Sequence, residues 1–96
     1  MIQEVIHKYV LEDTLIQTIK MPYSADVISA GFQGETICIW AVHTVDTPQP
    51  PEDRTFLVVG TGVKYDAENM RDRCRIATIQ KDGLVYHIFE VENYQA

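Results

Sequence analysis

The stretch of sequence that most constrains the fold is Ile37 to Val45, which reads Ile-Cys-Ile-Trp-Ala-Val-His-Thr-Val. Its first six residues are all apolar, and turn-forming residues bound the stretch on both sides. A short apolar run of this kind, containing β-branched residues, is typical of a strand that is buried on both faces. We therefore predict a central strand over 36–45, around which the rest of the chain packs.

Shorter segments rich in β-branched and aromatic residues flank this strand, with turn-forming residues roughly every ten positions. They predict strands over 2–10, 14–20, 26–33, 56–60, 76–79 and 84–91. Lys81-Asp82-Gly83 lies between the last two segments and is a strong hairpin signal, because Asp-Gly favours the tight turn that joins antiparallel strands. In the third segment, alternation predicts that Ile28, Ala30 and Phe32 share one face.

Many short strands without intervening helices are typical of an antiparallel sandwich or barrel. We therefore predict that residues 1–96 form a single all-β domain of about seven short strands. The segment 46–53 contains three prolines and is expected to be an extended loop. At most one short helix is expected, near 66–72, where Asp66 would be the N-cap residue.

The charge distribution argues against a nucleic-acid binder. The chain has a net charge of −6, whereas proteins that track phosphate backbones are basic. Residues 64–75 are the exception: they hold four basic and three acidic residues, against four and eleven in the rest. This segment is interpreted either as ordinary solvated surface or as one anion-attracting loop on an acidic body.

The two cysteines, Cys38 and Cys74, show none of the spacings that are typical of zinc sites. The first residues do not resemble a secretory signal, and no apolar run approaches the roughly 18 residues that span a bilayer. We therefore expect a cytosolic protein with reduced thiols, without a cofactor and without a membrane association.

Arg71, Arg73 and Arg75 alternate along the chain, so that their guanidinium groups project from one side if 73–80 is a strand. Such a row can clamp a phosphate or a carboxylate with bidentate hydrogen bonds. Tyr65 and Trp40 can stack on a base if they lie nearby. The alternatives are an exposed row of arginines that pairs with neighbouring acids, and a tryptophan that belongs to the core.

Gly60-Thr61-Gly62 interrupts an apolar strand, which often marks a bulge or the close approach of a ligand. A lone G-x-G is weak evidence of phosphate binding, because the third glycine and the helix of a dinucleotide site are missing. His43 and His87 each share a face with apolar residues, and they meet only if their strands are neighbours. No nucleophile–base pair is visible in the sequence, and we expect no enzyme.

Four short motifs follow one another along the chain: Met21-Pro22, Trp40-Ala41, Gly60-Thr61-Gly62 and His87-Ile88-Phe89-Glu90. In this order of motifs and in length, the sequence resembles a group of small uncharacterised bacteriophage proteins. The resemblance implies a phage or prophage origin and assigns no catalytic residue. Val63 stands where many of these proteins have histidine, which argues against a metal or catalytic role at that position.

Residues and resemblance together predict a non-enzymatic binding protein in the host cytoplasm that counters host immunity by sequestering a nucleotide signal. The ligand would be a cyclic nucleotide or an ADP-ribose-type molecule held by a homo-oligomer. The expected ligand-binding residues are Arg71, Arg73 and Arg75 on phosphate, Tyr65 or Trp40 on the base, and Thr61. The alternatives are an acidic inhibitor that mimics nucleic acid and docks on a host defence protein, and a minor structural protein of the virion.

Overall fold

The computed structural model describes residues 1–68, 70 and 72–94. It contains seven strands: β1 (Glu4–Leu11), β2 (Ile16–Met21), β3 (Asp26–Gln33), β4 (Thr36–Thr44), β5 (Glu52–Gly60), β6 (Arg73–Lys81) and β7 (Leu84–Val91). Sheet A has the strand order β1-β4-β3, and sheet B has the order β2-β5-β7-β6. All strand pairs are antiparallel, which confirms the predicted all-β class. Among the described residues there is no helix, and therefore none that is long and apolar enough to cross a membrane.

The two sheets pack face to face as a sandwich, and alternate residues of their strands fill the space between them. β4 contributes Ile37, Ile39 and Ala41 to this core. Sheet B faces them with residues that include Phe56 and Val58 of β5. The outward-facing residues of the same strands form two broad outer faces, as the two-residue period of a strand requires.

β4 is the central strand of sheet A, as the apolar run at 37–42 predicts. Ile37, Cys38, Ile39 and Ala41 are all less than 5% exposed. Trp40, however, is half-buried and lies on the outer face of sheet A, so a place in the core is wrong for this residue. Trp40 stands between Ile39 and Ala41 in the strand, so its side chain points away from the side that those two residues share.

Two β-bulges shift the alternation of the edge strands, one in β3 and one between Arg75 and Ala77 of β6. The register of β3 against β4 changes between Val27 and Ser29, so that Ile28 is the extra residue. Ala30 and Phe32 pack against the core as predicted, but Ile28 is 50% exposed. The predicted common face of these three residues is therefore wrong at Ile28, because a bulge adds one residue without adding a pair.

The connection from β5 to β6 crosses the outer face of sheet B. β5 and β6 both run antiparallel to β7, so they are parallel to each other with β7 between them. Met70, which is 5% exposed, packs on Leu57, Val59 and Val91 in a second apolar cluster that also includes Tyr65. The connection thereby buries part of this outer face.

No helix forms in the described residues of 66–72. Asp66 instead accepts a hydrogen bond from the backbone N–H of Glu68 at 2.9 Å, and the N–H of Met70 donates to the carbonyl of Ala67 at 3.1 Å. A side-chain acceptor before a short polar segment therefore makes a turn here, because too few residues follow for a helix. Asn69 lies outside the described residues.

Arg54 ties the β2–β3 turn to sheet B at one end of the sandwich. Its guanidinium donates to both carboxylate oxygens of Glu90 and, at 2.8 Å, to the carbonyl of Ala25 in the β2–β3 turn. The side chains of Arg54 and Glu90 are each 16% exposed. The hydrogen bond to Glu90 raises the pKa of Arg54 above its ordinary value.

Candidate anion-binding face

The edge strand β6 presents two arginines on the outer face of sheet B. Arg73 is opposite Val91 of β7, and Arg75 is opposite Phe89. Two residues of a strand are about 7 Å apart and point the same way, so the two guanidinium groups share one side as predicted. Arg71, the third residue of the predicted row, lies outside the described residues.

Arg73 is fixed by its neighbours. Its guanidinium carbon is 5.9 Å from the centroid of the Phe89 ring, a distance at which cation–π attraction operates. The same guanidinium donates to the backbone carbonyl of Met70 at 2.9 Å. Arg73 therefore holds the β5–β6 connection against the sheet and keeps its remaining donors on the outer face.

Arg75 is the more available of the two arginines. Within residues 1–68, 70 and 72–94, neither Arg73 nor Arg75 has a carboxylate within 4 Å, so the predicted alternative of neighbouring ion pairs is not realised there. Asp72 and Glu92 line a small cleft beside Arg73 and lower the local positive potential. Arg75, two residues further along β6, is the better anchor for an anion.

His87 lies next to these arginines with a threonine hydroxyl at each ring nitrogen. Nε2 is 2.7 Å from Oγ1 of Thr61, and Nδ1 is 3.0 Å from Oγ1 of Thr78. A neutral imidazole donates through one nitrogen and accepts at the other, and each hydroxyl can take the complementary role. An imidazolium donates from both nitrogens and leaves both hydroxyl hydrogens free to point at an anion.

The register explains this contact between residues that are distant in sequence. Thr78 is directly opposite His87 on β6. Thr61 follows the end of β5, and its backbone N–H donates to the carbonyl of Val85 at 3.1 Å, which continues the ladder past Gly60. The arginine–histidine face is defined by the five residues on this side of the sheet: Thr61, Arg73, Arg75, Thr78 and His87.

An open groove of about 690 Å³ begins at Thr61. Its walls are mostly apolar and include Leu15, Val63 and Leu84, which are 38%, 55% and 55% exposed. Tyr86, also in the wall, donates to a carboxylate oxygen of Asp13 at 3.2 Å. Burial of the ring, together with this hydrogen bond, raises the pKa of Tyr86 above its ordinary value of 10.0.

The two aromatic residues that the sequence suggested for stacking lie at different places relative to the arginines. Trp40 lies on the outer face of sheet A, on the opposite side of the sandwich, so it cannot stack on a ligand held by Arg75 in one protomer. Tyr65 is half-buried and packs against the apolar cluster under the β5–β6 connection. This cluster also includes Phe89, whose ring contacts Arg73 and which the sequence reasoning missed.

The histidines meet in a different combination from the one considered. His87 is on sheet B, so the suggested contact with His43 of sheet A is wrong. His43 instead contacts His7 of the neighbouring strand, with Nε2 3.3 Å from Nδ1. In the part of the chain that the structure describes, no group of three or more His, Cys, Asp or Glu is arranged to hold a metal ion.

Comparison with known proteins gives a family without an assigned activity. No curated protein and no solved structure matches the chain. The family model described as a domain of unknown function, DUF7352, matches residues 2–96. The chain therefore belongs to the DUF7352 family.

Proposed function

We propose that this protein binds a small anionic ligand of the nucleotide class on the arginine–histidine face and releases it unchanged. The observation that carries the proposal is the placement of Arg73, Arg75 and His87 side by side on one rigid sheet. Two of these groups are guanidinium cations, and the third is an imidazole with a threonine hydroxyl at each ring nitrogen. Their neighbours are hydroxyl groups, which can donate to phosphate oxygens or accept from ribose hydroxyls.

The length of the face favours an elongated ligand. Along β7, Phe89 lies beside Arg75, His87 lies beside Thr78, and Val85 borders the groove. Each step is two residues, or about 7 Å, so the path from Arg75 to the groove is about 14 Å long. This arrangement suits a molecule with an anionic group at the arginine end and an apolar or aromatic group at the groove.

The acidic character of the chain is compatible with such a ligand. A net charge of −6 repels a long polyanion, but a small ligand meets only the local field of the face. The resemblance to bacteriophage proteins supports a biological setting in which the ligand is a nucleotide immune signal of the host. Sequestration requires only tight binding, which agrees with a site built from donors that are fixed on strands.

Isothermal titration of the full chain with cyclic dinucleotides and cyclic ADP-ribose isomers tests the proposal, with inorganic phosphate as a minimal anion. Arg75→Ala should weaken binding at least tenfold, because a hydrogen bond to a charged group contributes about 1.5–3 kcal/mol. The affinity of Arg75→Lys should lie between those of the parent and of Arg75→Ala, since lysine keeps the charge and loses the bidentate geometry.

Lys20→Ala is the matched control, because it removes the same charge from β2, the opposite edge strand of sheet B. Lys20 is paired with Asp53 at 2.9 Å and is well exposed, so the variant should bind as the parent does. Chromatography of the ligand after incubation should return it unchanged. Absence of heat with every ligand, or equal losses in the two alanine variants, would contradict the proposal.

A second candidate function is docking to a basic host protein through the acidic end of the sandwich. Among the described residues, the groove beside the β2–β3 turn, about 500 Å³ in volume, is lined by Arg54 and by five carboxylates: Asp26, Glu52, Asp53, Glu90 and Glu92. Such a surface can imitate the charge of a nucleic acid. It predicts a complex with a host protein that weakens as salt rises and weakens further with Asp53→Asn, while Arg75→Ala has no effect.

A further inference from the structure

We propose that the outer face of sheet A is the interface of a symmetric homodimer, with Trp40 at its centre. The inference goes beyond ligand binding, because this face lies on the opposite side of the sandwich from the arginine–histidine face. It starts from an asymmetry between the two sheets. The outer face of sheet B is partly covered by the chain itself, through Met70 and Tyr65, whereas no described segment packs over the outer face of sheet A.

The uncovered face carries several apolar side chains of β1 and β4, together with Lys8 opposite Trp40. The register places Ile6 opposite Val42, Lys8 opposite Trp40 and Val10 opposite Cys38, all on this side. Ile6 and Val10 are 55% and 54% exposed, although they lie in the middle of β1 rather than at its ends. Single exposed apolar residues are common on protein surfaces, but a contiguous group of them on a sheet face indicates an interaction surface.

The indole ring of Trp40 lies over Gly31 on this face. On the neighbouring strand it is opposite Ser29, and Cys38 is opposite Gly31. A side chain at Gly31 would begin 3.8 Å from the Trp40 ring, so the indole lies across the space that the glycine leaves open. A flat apolar sheet face can pack on another sheet at the usual spacing of about 10 Å.

The charge of the face favours a second copy over a charged partner. Each chain carries a net charge of −6, so two copies repel each other wherever their acidic surfaces meet. The outward positions of sheet A hold only three charged residues: Glu4, Lys8 and Asp26. Lys8 is hydrogen-bonded to Gln33 across β4, and the two acids lie towards one end of the sheet. This face is therefore where two acidic chains can approach with the least repulsion.

The position of Trp40 fits a two-fold axis. Trp40 is the fifth of the nine residues of β4, and β4 is the middle strand of sheet A. Any face-to-face pairing of two identical sheets about a two-fold axis near their centres brings the two tryptophans together. Buried tryptophans at the centre of an interface are the residues that most often dominate binding energy.

The size of the face sets the expected strength. Three strands spaced by about 4.8 Å, and eight residues that each rise about 3.4 Å, give a footprint of about 14 by 27 Å, roughly 400 Å². The accessible area of projecting side chains exceeds this projected area and approaches the lower range of specific interfaces, about 600 Å² on each partner. We therefore expect a reversible dimer that dissociates on dilution.

Sedimentation equilibrium of the full chain, from about 1 μM to about 1 mM, tests the proposal. The mass should rise from monomer to dimer over this range. Trp40 is the single tryptophan of the chain, so its emission reports on the interface directly and should shift to the red on dilution. Added salt should strengthen the dimer slightly, because it screens the repulsion between two acidic chains.

Val10→Lys should raise the dissociation constant at least tenfold, because it places two like charges on facing surfaces. Val63→Lys is the matched control: Val63 is 55% exposed against 54% for Val10, and it lies at the groove on the other sheet. Trp40→Ala should also give a monomer, but this side chain is half-buried, so thermal unfolding must show that the variant folds. If the Trp40→Ala variant does not fold, Val10→Lys alone decides whether this face forms the dimer.

A monomer at every concentration would overturn the proposal, as would a dimer that Val10→Lys leaves intact. A monomeric chain that binds another protein through Trp40 would also overturn it, because the occupant would then not be a second copy. A dimer abolished by Val10→Lys and retained by Val63→Lys supports it. Failure of the dimer leaves the titrations with Arg75→Ala unaffected, since the two faces are on opposite sides.

Discussion

Replacement of Arg54 by methionine tests how the β2–β3 turn is held against sheet B, at the end of the sandwich where the acidic groove lies. Methionine keeps an unbranched apolar stem and removes the guanidinium group, which donates to Glu90 and to the carbonyl of Ala25. The variant leaves a carboxylate that is only 16% exposed without its cation. It also leaves the β2–β3 turn without the donor that ties it to sheet B.

The expected cost follows from the burial of the pair. Removing one partner of a fully buried ion pair costs about 3–5 kcal/mol, and each hydrogen bond to a charged group contributes about 1.5–3 kcal/mol. Water reaches both side chains of Arg54 and Glu90 to some extent, since each is 16% exposed. We therefore expect Arg54→Met to lower the free energy of unfolding by about 2–3 kcal/mol, which corresponds to a fall of roughly 8–24 °C in Tm for a domain of this size.

Urea unfolding at one protein concentration measures this change as a lower midpoint with an unchanged slope. The double variant Arg54→Met with Glu90→Leu should recover most of the loss, because the uncompensated carboxylate is gone. Lys20→Met is the control: the ion pair of Lys20 with Asp53 is 71% and 63% exposed, so its loss should cost less than about 0.5 kcal/mol. A cost of less than about 0.5 kcal/mol for Arg54→Met, or a double variant less stable than either single one, would refute the reasoning.

Two further predictions concern a turn and a tyrosine. Gly83 has a φ of 83°, so Gly83→Ala should cost about 1–2 kcal/mol in urea unfolding; Gly31→Ala, whose new methyl would meet only the Trp40 ring at 3.8 Å, should be neutral or stabilising. Equal losses of unfolding free energy in Gly83→Ala and Gly31→Ala would show that the positive φ of Gly83 is not the cause of the loss. For Tyr86, burial and the hydrogen bond to Asp13 raise the pKa above 10.0, so the folded state favours the neutral phenol. This contribution to stability is complete below pH 10.0 and declines as the pH rises through the folded-state pKa; urea midpoints between pH 8 and pH 11 should therefore fall less steeply for Tyr86→Phe than for the parent.

The strands themselves are predictable from the sequence, because alternation and turn chemistry are local signals. The predicted segments 26–33 and 84–91 coincide with β3 and β7. Asp82 and Gly83 adopt positive φ angles of 51° and 83°, as the tight hairpin turn between β6 and β7 requires. Alternation fails at Ile28 because a bulge there depends on the partner strand, which the sequence does not name.

The candidate site is less predictable, because it depends on which strands become neighbours. The shared side of Arg73 and Arg75 follows from their spacing alone. The contact of His87 with Thr61 and Thr78 requires β7 to lie between β5 and β6, and nothing local in the sequence states this order. Likewise, alternation separates Trp40 from Ile39 and Ala41, but only the packing of the two sheets decides which side is the core.

The order of strands in sheet B has a consequence for how the chain folds. β5 and β6 each bond to β7, which follows both of them along the chain, so neither can gain this partner until residues 84–91 are in place. β6 and β7 form a local hairpin, whereas the pairing of β5 with β7 joins residues that are 26 to 36 positions apart, such as Gly60 with Tyr86 and Thr55 with Val91. Contacts of such sequence separation form later and slow the folding of β proteins. Until they form, the arginines of β6 lie on a two-stranded hairpin outside the sheet, and one edge of β5 is open to pairing with other chains. The face that would recognise an anion and the protection of β5 from aggregation therefore arise in the same step, when the hairpin pairs with β5.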